Sequence, residues 1–168
     1  RENIFVSSED DKILLYAKKL GVNTIKRPIE LSQDDSSSES AINHALENIN
    51  FKIKYIIFLQ VTSPLRKIND IDRAFNVLKN SNSDSLFSCH KAEDYFDIWT
   101  YKKKKYIPLI IDYKNRKPRQ LFKPIHVCQN GSIYLFKKEI LSRYNNRLGK
   151  KINVFEMEEW QSFQLDNI

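Results

Sequence analysis

The sequence predicts an α/β fold, in which a mostly parallel sheet is flanked by helices and an antiparallel hairpin excursion occupies the second half. Two observations carry this prediction. Strand-like and helix-like segments alternate from Ile4 to Cys89, which is the pattern of right-handed βαβ units. Beyond Cys89 the alternation stops, and a hairpin-like stretch from Trp99 to Asp112 precedes an irregular segment from Arg116 to Gln129. The chain has no evident linker or internal repeat, so residues 1–168 are predicted to form one domain.

Hydrophobic periodicity sets the elements of the first half. Strands are predicted over residues 4–7, 22–26, 55–59 and 85–89, and helices over residues 9–20 and 69–79. Gly21 stands where a helix C-terminal cap belongs, and Ser36 or Ser37 can cap a further helix that reaches Ile49. The segment Tyr55–Leu59 is continuously apolar, so we expect a strand that is covered on both faces.

The second half contains shorter elements and most of the local charge. A strand is predicted over residues 132–136, a short helix over 138–144 and a last strand near Val154. The lysines at 102–105, flanked by Tyr101 and Tyr106, are predicted to form the solvated tip of the hairpin. Because this one run supplies much of the formal net charge of +7, the charge does not indicate nucleic-acid binding, and we expect none.

Composition excludes several classes of protein. The chain has 168 residues, 41% of them hydrophobic, which is enough to bury a core. No apolar run approaches the roughly 20 residues needed to span a bilayer. No signal peptide precedes the first strand, so we expect a cytoplasmic protein with no membrane partner. Cys89 and Cys128 lack CxxC spacing and are predicted to be buried free thiols rather than a disulfide or a metal site.

Three polar segments leave predicted strands at their carboxyl ends, where open parallel sheets bind ligands. They are Ser7-Ser8-Glu9, Arg27-Pro28 and the segment from Gln60 to Arg66. Two interpretations of the last segment stand side by side: a ligand site, or a capped loop whose hydroxyls satisfy backbone donors. His44, His90 and His126 have no metal-ligand spacing, and the three glycines form neither a P-loop nor a dinucleotide fingerprint.

Four segments carry a family pattern. Residues 27–38 read RPIELSQDDSSS and are followed by His44-Ala45-Leu46, and residues 58–66 read FLQVTSPLR. Residues 118–120 read PRQ with QNGSIY at 129–134, and residues 6–9 read VSSE. In this order and at nearly this spacing they resemble the "RPxELAxDxxSS…HAL", "LLQPTSPLR", "RRQ…NGAIYI" and "VSTD" segments of the CMP-sialic acid synthetases, the acylneuraminate cytidylyltransferases. The resemblance covers the chain from about Ile4 to Asp166.

The resemblance implies a Rossmann-like nucleotidyltransferase fold that transfers CMP from CTP to the anomeric hydroxyl of a sialic acid or a related nonulosonic acid. Pyrophosphate is released, Mg²⁺ is the cofactor, and the protein is a homodimer. Nucleotide binding is implied for Arg27 and Ser38, and metal binding for Asp166. The residues implied to bind the sugar are Gln60, Thr62, Ser63, Arg66, Arg119, Gln120 and Asn130. Arg66 as an anchor of its loop, Asn130 as a turn residue and Ser38 as a helix cap remain open alternatives.

The chain departs from the family pattern at two places. The family's amino-terminal loop, of the "ARxGSKxxxxKN" type, would lie upstream of Arg1. The catalytic basic residues are therefore expected outside this chain, which we take to be a fragment, truncated at its carboxyl end too and inactive by itself. The family's "DIDT" pair of metal-binding aspartates corresponds here to Gln164-Leu165-Asp166-Asn167, so a neutral amide replaces the first carboxylate.

Two alternative functions follow from these differences. Val61 replaces a proline, and the segment 117–127 differs from the pattern. Both changes fall in the implied sugar pocket, which leaves open a sister enzyme for legionaminic, pseudaminic or Kdo-type sugars. Gln164 leaves open a degenerate, non-catalytic homologue that binds nucleotide or serves as a subunit.

Overall fold

A computed structural model describes residues 1–92, 98–118, 121 and 126–165. Its strands are β1 (Phe5–Ser8), β2 (Asn23–Lys26), β3 (Tyr55–Leu59), β4 (Ser85–Lys91), β5 (Trp99–Lys102), β6 (Lys105–Pro108), β7 (Val127–Lys137) and β8 (Ile152–Glu156). Its helices are α1 (Asp11–Lys19), α2 (Ser38–Glu47), α3 (Asp70–Asn80) and α4 (Lys138–Tyr144). Within the described ranges, no helix has both the length and the apolar character needed to cross a membrane.

The described strands form three sheets. β1 and β2 pair in parallel, and β5 and β6 form an antiparallel hairpin of their own. The central sheet has four strands in the order β3-β7-β4-β8. β7 runs antiparallel to both β3 and β4, and β4 runs parallel to β8. Because β3, β4 and β8 therefore point in one direction, their carboxyl ends meet at one edge, which we call the carboxyl edge.

The predicted fold class is confirmed, with helices against the central sheet and an antiparallel hairpin in the second half. Most boundaries differ from the prediction by one or two residues, and the largest difference is at β7. β7 begins at Val127, so the segment predicted to be irregular as far as Gln129 is already a strand at its end. This longer strand inserts antiparallel between β3 and β4, and the central sheet is mixed rather than mostly parallel in its pairings.

The core lies on both faces of β7, because alternate side chains of a strand point to opposite faces. Ile133 and Leu135 are fully buried against α3 in one cluster, while Tyr134 and Phe136 pack with residues of α2 and α4 in the other. β7 is thus the central strand of the molecule. The continuously apolar β3 is instead an edge strand of this sheet, and Ile57 is 43% exposed, so the predicted coverage of both its faces was wrong.

Local termination signals were predicted correctly. The hydroxyl of Ser37 accepts a hydrogen bond from the backbone N–H of Ser40 at 3.1 Å and caps α2. Gly21 follows α1 with φ of +74°, a conformation that glycine adopts without steric cost. Lys103 and Lys104 form the exposed hairpin turn with φ of 52° and 62°, which suits the right-handed twist of the flanking strands.

The two cysteines differ in environment. Both are free thiols, as predicted. Cys89 is fully buried, and burial raises the pKa of its thiol to about 11. Cys128 is half-buried rather than buried, because it lies where β7 enters the sheet beside an open cleft.

Candidate functional site

The loop that follows β3 is fixed to β7 by Arg66. The guanidinium Nη2 of Arg66 donates to the backbone carbonyl of Gln60 at 3.0 Å and to that of Ser132 at 2.9 Å. Burial lowers the pKa of this guanidinium below its ordinary value. A second link joins the hydroxyl of Ser132 to the carbonyl of Ser63 at 3.4 Å. These hydrogen bonds therefore fix the position of the loop relative to β7 and the carboxyl edge.

Three polar side chains converge on Gly131, where β7 passes this loop. Gly131 has φ of +71°, and a Cβ atom built on it would lie 2.8 Å from Gln60 Oε1, 3.0 Å from Ser63 Oγ and 3.1 Å from Gln164 Nε2. Ser63 is completely buried, and its hydroxyl has no hydrogen-bond partner among the described residues. A neutral group of amides and a hydroxyl, with hydrogen-bonding capacity to spare, therefore surrounds this point.

The Asn130 side chain is held inside the protein. Its Oδ1 accepts from the hydroxyl of Ser88 at 2.6 Å and from the backbone N–H of Ser132 at 3.2 Å, and its Nδ2 contacts the sulfur of Met157 at 3.4 Å. The backbone carbonyl of Asn130 accepts from Gln164 Nε2 at 3.2 Å. The Asn130 side chain thus stabilises β7 through contacts inside the protein, and its backbone carbonyl binds the segment that contains Gln164.

A cleft of about 340 Å³ opens beside this corner of β7. His90 Nδ1 and Ser162 Oγ lie 2.8 Å apart on its wall. The lining residues are His90, Cys128, Gln129, Asn130, Glu159, Ser162, Phe163 and Gln164. Most of these were not predicted as site residues, since their positions in the sequence, such as that of His90, carry no motif or ligand spacing.

A second polar cluster lies at the carboxyl ends of β1 and β2. Arg27 Nε donates to Ser32 Oγ, and Arg27 Nη2 donates to Glu9 Oε2, both at 2.8 Å. The first polar segment and the second are therefore brought together, because β1 and β2 pair in parallel and end side by side. Ser38 is the first residue of α2, and the capping role belongs to Ser37.

Glu9→Gln is expected to remove part of the acid dependence of stability. The hydrogen bond from Arg27 holds the pKa of Glu9 at about 2, against a usual value of 4.5. Because the folded state favours the carboxylate, the pair stabilises fully above about pH 4.5, and this stabilisation is lost as the pH falls toward 2. Urea unfolding at several pH values measures the effect. The stability difference between wild type and Glu9→Gln should shrink below about pH 4.5, and a constant difference would contradict the assignment.

The remaining predicted positions are only partly described. Arg119, Gln120 and Asp166 lie outside the described residues. The structure places Gln60, Ser63, Arg66 and Asn130 around one corner. The backbone carbonyl of Thr62 joins them by accepting from Leu165 N at 2.8 Å. Arg27 belongs to the second cluster, at the end of the parallel sheet formed by β1 and β2.

The described residues do not by themselves supply a complete set of protein ligands for a metal ion. Mg²⁺ prefers carboxylate and phosphate oxygens in octahedral geometry. Within the described ranges no group of three or more His, Cys, Asp or Glu residues is arranged to hold a metal ion. Glu159 supplies the carboxylate of the described cleft lining, and the Gln164 amide nitrogen points at the carbonyl of Asn130.

The fold and this arrangement define a class: an α/β domain with polar side chains gathered at the carboxyl ends of its strands, the place where open sheets of this kind bind ligands. A family model described as Cytidylyltransferase matches residues 1–163. The chain therefore belongs to the cytidylyltransferase family. A solved structure agrees in fold, that of 4-diphosphocytidyl-2C-methyl-D-erythritol synthase from Anaerococcus prevotii, with a TM-score of 0.60 at 11% identity over 95% of this chain and 72% of that one.

Curated relatives are similar over almost the whole chain. The N-acylneuraminate cytidylyltransferase of Streptococcus agalactiae serotype III is 25% identical and that of Oncorhynchus mykiss 28% identical, over 99% and 98% of this chain. The chain spans 40% and 38% of the length of those two proteins. The Post-translational flagellin modification protein B of Campylobacter coli is 27% identical over 99% of this chain and 72% of its own length.

Proposed function

We propose that the protein to which this chain belongs transfers CMP from CTP to the anomeric hydroxyl of a sialic acid or a related nonulosonic acid. The hydroxyl oxygen attacks the α-phosphorus of CTP and gives up its proton to solvent. The bond between the α-phosphorus and the oxygen that bridges to the β-phosphate breaks, and pyrophosphate leaves. One observation carries the proposal: in a chain of the cytidylyltransferase family, Gln60, Ser63 and Gln164 converge on Gly131 at the carboxyl edge.

The corner around Gly131 supports a sugar-binding role for Gln60 and Ser63. Sugars are recognised through paired hydrogen bonds to their hydroxyl groups, and a buried hydroxyl such as that of Ser63 is costly when it stays unpaired. Gln60 is partly exposed and can meet a ligand hydroxyl directly, and a small shift of the loop would bring Ser63 within reach of the same ligand. Thr62 shapes the same loop, and we assign the sugar carboxylate to Arg119 and Gln120, since a guanidinium fork matches a carboxylate.

The cluster around Arg27 supports nucleotide binding. Its guanidinium is fixed by Glu9 and Ser32 through two of its five N–H groups, which leaves donors in a defined orientation for an anionic ligand. Ser38 lies in the first turn of α2, where backbone N–H groups also favour negative charge. We therefore assign the cytidine nucleotide to this side of the molecule.

The reaction is proposed to depend on Mg²⁺, which in general neutralises a triphosphate during transfer. We assign one metal ligand to Asp166 and no step of the reaction to the metal, because Asp166 lies outside the described residues. We propose a cytoplasmic location, where CTP is available as a substrate.

The identity of the sugar has a second candidate answer. The flagellin modification protein from Campylobacter coli is as similar to this chain as the proteins named N-acylneuraminate cytidylyltransferase. Legionaminic, pseudaminic and Kdo-type acids are therefore alternative substrates. The amide of Gln164, in place of a carboxylate, favours a further alternative, a non-catalytic homologue that binds the nucleotide.

Pyrophosphate release from CTP and Mg²⁺ tests the proposal. The open reading frame that contains this chain is expressed in full and offered each nonulosonic acid in turn, with UTP and ATP as control nucleotides. We expect release that requires CTP together with one sugar, and the sugar that supports it distinguishes the two enzymatic alternatives. Absence of release with every sugar, together with retained CTP binding, would favour the non-catalytic homologue.

We also propose that the protein is a homodimer in which the β5–β6 hairpin contacts a second copy. The hairpin is a separate sheet whose aromatic side chains are exposed, with Tyr101 at 63% and Tyr106 at 71%. Exposed aromatic surface of this kind marks interaction sites. Light scattering is expected to give twice the monomer mass, and Tyr106→Lys is expected to reduce it.

A further inference from the structure

The segment from Gln161 to Leu165 is fastened across the carboxyl edge at several points. Gln161 Nε2 donates to Asp70 at 2.8 Å, and Ser162 Oγ lies 2.8 Å from His90 Nδ1. The backbone N–H of Leu165 donates to the carbonyl of Thr62 at 2.8 Å. Between these points, Gln164 Nε2 donates to the carbonyl of Asn130 at 3.2 Å. Gln164 is thus the link between this segment and the corner that Gly131 occupies.

This link requires a hydrogen-bond donor, which the amide of Gln164 supplies. A backbone carbonyl can only accept, and a glutamine supplies the N–H that it needs. A carboxylate in the same place offers no donor and would set a full negative charge against the partial negative charge of the carbonyl oxygen. The contact of Gln164 is therefore chemically matched to an amide, and aspartate or glutamate would break it.

The corner depends on such contacts because Gly131 has no side chain of its own. Gln60 and Ser63 approach Gly131 along with the amide of Gln164, and the three closest approaches to its Cβ position span 2.8–3.1 Å. Loss of the link from Gln164 lets the Asn130–Gly131 backbone move relative to Gln60 and Ser63. The positions of Gln60 and Ser63, the two residues that we assign to the sugar, would then no longer be fixed relative to this backbone.

We infer that Gln164 is a positioning residue, which holds the Asn130–Gly131 corner against Gln60 and Ser63 through its neutral amide and sets the affinity for the sugar. Its role is that of a hydrogen-bond donor and not of a metal ligand. The inference rests on the proposed function, since it names the sugar as the ligand that the corner receives.

The test compares Gln164→Glu and Gln164→Asp with wild type in the full-length protein. Asn50→Asp is the matched control, because it adds the same negative charge at an exposed position on the loop before β3, at the opposite end of that strand. The measurements are KM for the sugar, KM for CTP, kcat, the Mg²⁺ concentration at half-maximal rate, and the melting temperature of the metal-free protein.

We expect both variants to raise KM for the sugar about tenfold, which corresponds to the loss of about one hydrogen bond with its geometric consequences. KM for CTP and the Mg²⁺ requirement should match those of wild type and of Asn50→Asp. The melting temperature should fall by about 2–4 °C in the metal-free protein. A rise in kcat or a lower Mg²⁺ requirement in Gln164→Asp would overturn the inference, as would an unchanged KM for the sugar.

Calorimetric titration of the sugar onto protein saturated with CMP, which fills the nucleotide site without reacting, separates this inference from the proposed function. A wild-type protein that binds no nonulosonic acid would contradict the proposed function itself. A wild-type protein that binds the sugar, with a Gln164→Glu variant that binds it equally well, would overturn the role of Gln164 alone.

Discussion

Replacement of Gly131 by alanine is expected to lower the rate of the proposed transfer by about 100-fold, which is the scale of a misplacement of about 1 Å in an active site. The added methyl group would lie 2.8 Å from Gln60 Oε1 and 3.0 Å from Ser63 Oγ. These groups must move apart, since real Cβ atoms do not approach so closely. The free energy of unfolding should fall by about 2–4 kcal/mol, from left-handed backbone strain and from overpacking.

Gly21→Ala is the matched control for this prediction. Gly21 has nearly the same φ, +74°. The nearest atom to a Cβ built on it is Nη1 of the flexible Arg1 side chain, at 3.5 Å. This variant should lose about 1–2 kcal/mol from backbone strain alone and keep full activity. Unfolding in urea and pyrophosphate release measure both variants. Equal losses in the two variants would contradict the account, because the crowding at Gly131 would then have no consequence.

Replacement of Arg66 by methionine is expected to destabilise the protein by about 3 kcal/mol. Methionine keeps most of the buried apolar volume but leaves the carbonyls of Gln60 and Ser132 without their charged donor. Arg66→Lys should give an intermediate loss, because one ammonium group does not reproduce the fork of a guanidinium. Arg143→Met makes the same change at an exposed position of α4 and should lie within about 0.5 kcal/mol of wild type.

The same variants decide between the two roles that the sequence left open for Arg66. If Arg66 anchors the loop, its replacement should lower the free energy of unfolding whether or not sugar is present. Unchanged stability with a raised KM for the sugar would show instead that the guanidinium contacts the substrate. The two backbone carbonyls that it reaches favour the anchor.

Elements whose signals are local could be predicted from the sequence. The helix expected over residues 138–144 is α4 with the same bounds. Its apolar periodicity is a local feature of the sequence, which is why it could be predicted. The cap at Ser37 and the lysine turn of the hairpin depend on local backbone preferences in the same way. The position of the polar loop at a strand end also followed, because β3 is short and strongly apolar.

Pairings across the chain could not be predicted. The insertion of β7 between β3 and β4 depends on contacts that bring the end of the chain beside its middle, and nothing in the local pattern of residues 127–129 marks them as a strand. Arg66 reaches a carbonyl 66 positions away, and the His90 contact with Ser162 spans 72 positions. The expectation that polar residues follow the carboxyl ends of strands was therefore correct for Gln60 and Arg27. It did not predict that the two residues belong to separate sheets.

Family resemblance supplied candidate site residues that hydrophobic periodicity could not. At one of the positions it marked, Gln164, the structure changed the interpretation. Gln164 was noticed as a departure from a pair of carboxylates. In the structure its amide has a partner of its own, the carbonyl of Asn130. The substitution therefore has a physical reason within this chain.

The mass of the reaction product tests the central claim most directly. After incubation of the full-length protein with CTP, Mg²⁺ and the sugar selected by the pyrophosphate assay, mass spectrometry should find one CMP joined to one intact nonulosonic acid, with one pyrophosphate released per product. Recovery of unmodified sugar beside intact CTP would contradict the claim, and so would a product that carries a cytidine diphosphate group.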